Sequence, residues 1–316
     1  MKVTRIESVN PAWDFGEPGD KKIELLDSES VRAPAKKPVL RLAPPDNPVC
    51  PNDDEAMNYQ TLQLALDSGI ATLTLNRPEK RNAISFQLVD ELLGALDQIE
   101  KSPTEVVILT GTGKAFCAGM DLDELESLLG KTHDENVKDS SRMAHLFRRL
   151  FDFPRPTIAA VNGAAIAGGS GLATMCDFTL AVPEATFGYT EVRIGFVPAV
   201  VSSILVWQVG HKIARDLLLS GRLFDASEAR RLGLVNEVVP RERLLDRARE
   251  LAGQLLENSP SSVEHTKKLI NGYIAPSLDE QLASAIEENA RTRATADFRE
   301  GISSFLEKRK PRWSSR

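Results

Sequence analysis

Apolar positions along this chain follow two rhythms in succession, first mixed and then helical. The stretch LQLALDSGIATLTLNRP alternates β-branched residues in its second half, which predicts two strands around a turn at Asp67–Gly69. Ser85 is placed to cap a helix running to Glu100, with Leu88, Leu92, Leu93 and Leu96 at helical spacing. Apolar runs at Val106–Thr110, Thr157–Val161 and Asp177–Ala181 predict three more strands. Between them fall a helix from Asp121 and a longer amphipathic one over Ser140–Phe151, stopped before Pro154. Strand and helix alternate, which favours parallel βαβ units covered by helices. After Pro198 the helical period takes over. Asp225 with Glu228 and Ser261 with Glu264 have capping-box spacing, and Arg241–Leu256, Ser262–Tyr273 and Leu278–Lys308 are amphipathic. The expectation is an α/β core over residues 61–256 and a helical C-terminal region over 257–316, with no internal repeat.

Residues 1–60 follow neither rhythm. Eight of the eighteen prolines lie between Pro11 and Pro51. Such a segment buries too little to offset its ordering entropy, so it reads as a flexible tail or as the product of a wrongly chosen start codon. It is not a secretory signal, having no apolar stretch after its basic start. Acidic residues such as Glu7, Asp14 and Glu17 spoil it as a mitochondrial presequence.

Composition narrows the function classes. A net charge of −6 and a pI near 5.5 argue against a nucleic-acid groove. No apolar run is long enough to span a bilayer. The cysteines Cys50, Cys117 and Cys176 form no CxxC pair and are odd in number, which disfavours a disulfide framework or a zinc site. A reducing, cytoplasmic setting is expected, without nucleic acid or membrane as partner. The four histidines, His133, His145, His211 and His265, form no ligand-like pair.

Candidate chemistry sits in two glycine-rich stretches, GTGKAFCAGMDLDEL (residues 111–125) and NGAAIAGGSGL (residues 162–172). Each follows an apolar strand and leads toward a helix, so each can aim a backbone N–H at one oxygen, the makings of an oxyanion hole. Other readings of the glycines fare worse. GTGKA lacks the leading Gly and the Ser or Thr of a phosphate loop. GTGKAF fails the last Gly of a dinucleotide fingerprint, and Ser170 lacks the full GxSxG elbow. Cys117, among small and apolar neighbours, reads as a core residue.

Five segments in order resemble the crotonase, or enoyl-CoA hydratase/isomerase, family from Leu62 to the C-terminus. They are LNRPEKRNAIS, KAFCAGMDL, AAVNGAAIAGGSGLA, SGRLFDASEARRLGLVNEVVP and FLEKRKPRW. The resemblance implies a crotonase-like spiral of ββα turns and an acyl-CoA thioester as substrate. It implies no metal or redox cofactor, coenzyme A being part of the substrate, and a homotrimer or hexamer. It places the oxyanion donors on the backbone N–H groups of Met120 and Gly168. Contacts to substrate or CoA fall on Lys80, Arg81, Asn82, Ala118, Asp121, Leu122, Gly171 and Lys308. Of the two glutamates that the family's hydratases commonly use, the second matches Glu191 and the first falls on Gly171, which has no side chain.

A lone carboxylate suits a proton shuttle, the logic of a Δ3-Δ2 enoyl-CoA isomerase. The surrounding GSGL and TEVRIGFVPAVVS instead resemble a branch that hydrates enoyl-CoAs, including branched ones such as methylglutaconyl-CoA. Hydration ranks first, isomerisation second, and a non-catalytic acyl-CoA binder is the rival from another class. Asp123 or Glu124 is a candidate to replace the missing acid. Glu191 itself has a plain alternative, as a helix cap or a partner of Arg193.

Overall fold

A computed structural model describes residues 59–314. The Pro-rich segment expected over residues 1–60 lies outside them except for Tyr59 and Gln60, and so does Cys50. The chain opens with β1 (Leu62–Asp67) and β2 (Ile70–Leu75), followed by α1 (Phe86–Lys101), β3 (Val106–Gly111) and β4 (Ala115–Cys117). Then come α2 (Leu122–Ser127), α3 (His133–Phe151), β5 (Thr157–Val161), β6 (Ala164–Ile166), α4 (Gly168–Met175), β7 (Phe178–Ala181) and β8 (Thr186–Gly188). The remainder is α5 (Ala199–Ser220), β9 (Phe224–Asp225), α6 (Ala226–Arg231), β10 (Glu237–Val238) and the helices α7 (Leu244–Leu256), α8 (Pro260–Gly272), α9 (Ala275–Arg293) and α10 (Ala296–Leu306).

The strands divide between two sheets, ordered β1-β2-β3-β5-β7-β10 and β4-β6-β8-β9. Consecutive strands alternate between them: β3 then β4, β5 then β6, β7 then β8. Each pair is followed by helix, giving the ββα spiral. The mixed α/β class is as expected. β4 and β6 were not foreseen, because three-residue strands inside glycine-rich stretches carry no legible alternation. β1 and β2 pair antiparallel around a turn whose Ser68 and Gly69 both have positive φ, the geometry that matches strand twist in a two-residue hairpin. β2, β3, β5 and β7 run parallel, and β3 and β5 read as continuous apolar runs because both their faces are covered. On α1, Leu88, Leu92, Leu96 and Ile99 are buried, and the Ser85 hydroxyl accepts from the Leu88 N–H at 3.2 Å, as expected of its cap.

Several helix ends differ from the sequence reading. α3 begins a full two turns early, because Thr132 and Glu135 form a reciprocal capping box. α8 is capped by Ser259, whose hydroxyl accepts from the Ser262 N–H, so Ser261 lies inside the helix. Pro260 at the first helical position fits that placement. Asp225 accepts from the Glu228 N–H at 2.7 Å, but the Glu228 carboxylate turns to Arg222 and no reciprocal box forms. The span expected as one helix over Leu278–Lys308 is two, with Thr295 capping α10 through the Phe298 N–H.

Asn82 ties this frame together before the site. Its side chain is fully buried, donates to the Thr112 and Ala115 carbonyls at 2.9 and 2.8 Å, and accepts from the Arg77 N–H at 2.9 Å. Asn82 has a φ of 55°, which asparagine tolerates better than most residues. Asn82→Ala removes the hydrogen-bond partner of the buried Ala115 carbonyl and of the part-buried Thr112 carbonyl and Arg77 N–H, and we expect a loss of about 3 kcal/mol in denaturant unfolding.

Candidate active site

β4, β6 and β8 lie side by side and parallel, so their C-terminal ends share one edge. Just beyond those ends, in the same order, come Met120, Gly168 and Glu191. Parallel strands leave their outgoing loops together, which is where such sheets gather chemistry.

Met120 is held by its neighbours. The Ile84 N–H donates to the Gly119 carbonyl at 2.7 Å, and the Asp121 N–H donates to the Ile84 carbonyl at 2.9 Å. Successive groups of an extended chain point to opposite sides, so the Met120 N–H faces away from Ile84. Among the described residues it has no acceptor. Gly119 adopts a φ of 93°, and a Cβ there would stand 3.1 Å from the Ile166 carbonyl and 3.3 Å from the Ala167 methyl. The first turn therefore packs backbone to backbone on the second.

Gly168 opens α4. The preceding Ala167 has φ 50° and ψ −117°, a conformation that costs an L-residue on the order of 1–3 kcal/mol. It is fixed by donation of its N–H to the Gly188 carbonyl at 2.7 Å. Ala167 supplies no side-chain cap, so the helix start, with its partial positive charge, keeps the Gly168 N–H free among the described residues. A Cβ on Gly169 would lie 2.1 Å from the Cys117 carbonyl, so only glycine lets α4 sit this close to the end of β4. Ser170, which the sequence marked only as a failed nucleophile, staples the edge. Its hydroxyl donates to the Ala165 carbonyl at 2.6 Å and accepts from the Gly188 N–H at 3.1 Å.

Glu191 opens a 3-10 turn, Glu191–Ile194, rather than capping an α-helix, and it forms no ion pair with Arg193 among the described residues. Its Oε2 is buried and has no hydrogen-bond partner among them. Burial pushes the carboxyl up to about 7, opposed only by a hydrogen bond from its own backbone. A buried carboxyl oxygen without a partner is unusual enough to signal a ligand or a proton-transfer role.

The remaining candidates separate into three kinds. Asn82 and Asp121 spend their side chains inside the protein: Asp121 is 3% exposed, pairs with Arg77 at 2.7 Å and caps α2 through the Asp123 N–H. Their side chains are not offered to a ligand. Lys80, Arg81, Leu122 and Lys308 are exposed, and Ala118 is partly so, donating its N–H to the Arg81 carbonyl at 3.1 Å. Lys80 reaches Asp123 at 2.9 Å, and those contacts with Asp123 and Asp121 raise its ammonium above the ordinary value. Arg81 and Lys308 form no ion pair among the described residues. Neither acid proposed to replace the missing one is free to do so. Asp123 is 82% exposed and paired with Lys80, and Glu124 accepts from the Phe86 N–H at 3.1 Å.

Gly171 is buried, and a Cβ there would stand 2.7 Å from two atoms of the Phe147 ring on α3. The aromatic ring fills the space into which a side chain at this position would emerge. Cys117 is fully buried, and burial pushes its thiol up to about 12, as its core reading requires. Among the described residues no cluster of His, Cys, Asp and Glu is arranged to hold a metal ion.

Two stability measurements follow. Gly171→Glu must displace the Phe147 ring, and overpacking of this kind should cost about 1–3 kcal/mol in denaturant unfolding. The raised Glu191 carboxyl means that the folded protein binds its proton more tightly than the unfolded chain does. Its contribution is therefore full below the ordinary value of 4.5 and is lost as pH rises through about 7. Glu191→Gln should accordingly gain on the wild type between pH 5 and pH 8, by on the order of 2 kcal/mol once its residual exposure is discounted.

Comparison with known proteins adds the family to this geometry. A model for the enoyl-CoA hydratase/isomerase family matches residues 65–316. A Thermus thermophilus protein assigned to the enoyl-CoA hydratases is 47% identical over 245 residues, covering 77% of this chain and 97% of that one. The mevalonyl-coenzyme A hydratase of Aspergillus fumigatus is 40% identical over 249 residues, covering 77% of this chain and 91% of that protein. The crystal structure of an enoyl-CoA hydratase/isomerase from Xanthobacter autotrophicus Py2 superposes with a TM-score of 0.75 at 30% identity, over 79% of this chain and 94% of that one. The chain belongs to the enoyl-CoA hydratase/isomerase family, the crotonases.

Proposed function

We propose that this enzyme hydrates a 2-enoyl-CoA through a thioester enolate, with Glu191 as the only acid–base side chain. The observation that carries the reading is the buried, unpartnered Oε2 of Glu191, held at the same sheet edge as two free backbone N–H groups. The thioester oxygen accepts from the Met120 and Gly168 N–H groups and gains charge as the enolate forms. Each such donor is typically worth about 3 kcal/mol at the transition state. The Glu191 carboxylate takes a proton from water as its oxygen bonds to C3, and the resulting acid returns that proton to C2. A carboxyl near 7 suits both halves, being a usable base and a usable acid at neutral pH.

The CoA moiety is assigned to the exposed Lys80, Arg81 and Lys308, where a point charge or a guanidinium fork suits phosphate. Ala118, Leu122 and the main chain at Asp121 complete that surface. These steps call for no cofactor beyond the CoA that the substrate carries. Among the described residues no helix is long and apolar enough to cross a membrane. A homotrimer or hexamer and a cytoplasmic setting accompany this reading, from the family resemblance and the cysteine usage respectively.

Isomerisation is the second reading, and Gly171 is what favours it. With Phe147 over that position and Asp123 and Glu124 engaged elsewhere, neither position 171 nor those two acids supplies a second acid to hold water. In that case Glu191 would carry a proton from C2 to C4.

Crotonyl-CoA and 3-hexenoyl-CoA incubated in D₂O and followed by mass and NMR separate the two. The hydratase reading expects a 3-hydroxyacyl product from crotonyl-CoA; conversion of 3-hexenoyl-CoA to its 2-enoyl isomer without hydration would overturn it. Glu191→Gln should lower kcat by about 10²- to 10⁴-fold on the productive substrate. The wild-type kcat/KM for hydration should rise with pH through an inflection near 7 as the base form of Glu191 is populated.

A further inference from the structure

The turn that carries Glu191 is gripped by a helix from the far end of the chain. Gly195 closes that turn with a φ of 65°, and a Cβ there would stand 2.3 Å from the Asp297 carbonyl oxygen. One turn further along α10, a Cβ on Gly301 would stand 2.2 Å from the Ile194 carbonyl oxygen and 2.9 Å from the Gly195 nitrogen. Two backbones therefore meet twice with no side chain between them. Gly301 is buried in the middle of α10, where glycine is a poor helix former and alanine a good one. The close approach to Ile194 is the reason that position calls for glycine.

The turn is stiff enough to pass this contact on. The Phe196 N–H donates to the Glu191 carbonyl at 3.0 Å, and the Arg193 N–H donates to the Thr190 carbonyl at 2.9 Å. Both ends of the Glu191–Ile194 turn are thus closed on themselves. The Phe196 ring adds a third point of grip, packing on the Phe298 ring of α10 with centroids 5.3 Å apart. Movement of Ile194 by α10 must carry Glu191 with it.

α10 also reaches the other side of the site. Phe298 and Ile302 form one apolar cluster with Leu125 and Leu128, against which Met120, Ile194 and Phe196 pack. The Met120 turn and the turn that bears the carboxyl therefore share one support. A Cβ at position 301 would need about 1 Å more room than the contact with Ile194 leaves. Misplacing a reacting group by about 1 Å can cost about 10²-fold in rate.

We propose that α10 positions Glu191, with Gly301 as the positioning residue that sets the carboxyl against the oxyanion turns. The inference rests on the reading of Glu191 as the acid–base group and holds for hydration and isomerisation alike. Its test is a double-mutant cycle of Gly301→Ala with Glu191→Gln, with kcat and KM measured on crotonyl-CoA or 3-hexenoyl-CoA, whichever turns over. In the wild-type background Gly301→Ala should lower kcat by about 10- to 100-fold and leave KM within about threefold. In the Glu191→Gln background the same substitution should change kcat by less than about threefold, since no carboxylate is left to misplace. Gly253→Ala is the control, a helical glycine on α7 with nothing within 4 Å of a Cβ, and it should leave both constants at their wild-type values. An equal loss in both backgrounds would overturn the proposal by making Gly301 merely structural, and so would an unchanged kcat in Gly301→Ala. Should Gly301→Ala not fold, the same cycle with Phe196→Leu, which loosens the grip without a clash, decides between the same outcomes. An undiminished kcat in Glu191→Gln, or no turnover of either thioester, would instead sink the acid–base reading itself.

Discussion

Two backbone turns meet here with no side chain between them, and the rest of the site depends on that contact. Gly169 lies against the Cys117 carbonyl at a distance that forbids a Cβ, and Gly119 lies against Ile166 and Ala167. Both contacts join the end of β4 to the end of β6. They allow two N–H groups from different strands to serve one oxygen. Ala167 pays in strain for aiming α4, and the surrounding hydrogen bonds from Ala167, Ser170 and Gly188 hold it there. On the proposed reading the donors are main-chain, so the identity of Met120 matters for shape more than for charge stabilisation.

Near these N–H groups stands a carboxyl whose Oε2 has no hydrogen-bond partner among the described residues. Burying Glu191, with only a hydrogen bond from its own backbone to offset the loss of water, disfavours its charge and brings its pKa toward neutral pH, where it can both take and give a proton. The vacant position on α4 is not an open space for water, since Phe147 covers Gly171. That ring also links the site to the stripe of α3 carrying Ser140 and Asn136.

The sequence revealed the long elements, because Leu88, Leu92 and Leu96 or the runs at 106–110 and 157–161 carry their period openly. It also revealed the turns that matter, since glycine pairs after apolar strands have few other uses. What it hid was short or non-local. The strands Ala115–Cys117 and Ala164–Ile166 are too brief for alternation, yet they form the edge on which the site stands. The buried roles of Asn82 and Asp121 depend on partners thirty or more residues away. Ser170 looked like a failed nucleophile and is a staple. That Arg293 is 5% exposed, with Asp139 at 3.8 Å, likewise shows only in the packing.

The most direct measurement is a crystal structure with butyryl-CoA bound. The account places the thioester oxygen about 2.7–3.1 Å from both the Met120 and Gly168 nitrogens, with Glu191 Oε2 facing C2 and C3 of the acyl chain. A thioester bound away from either nitrogen, or a chain whose C2 and C3 lie beyond the reach of Glu191, would contradict it.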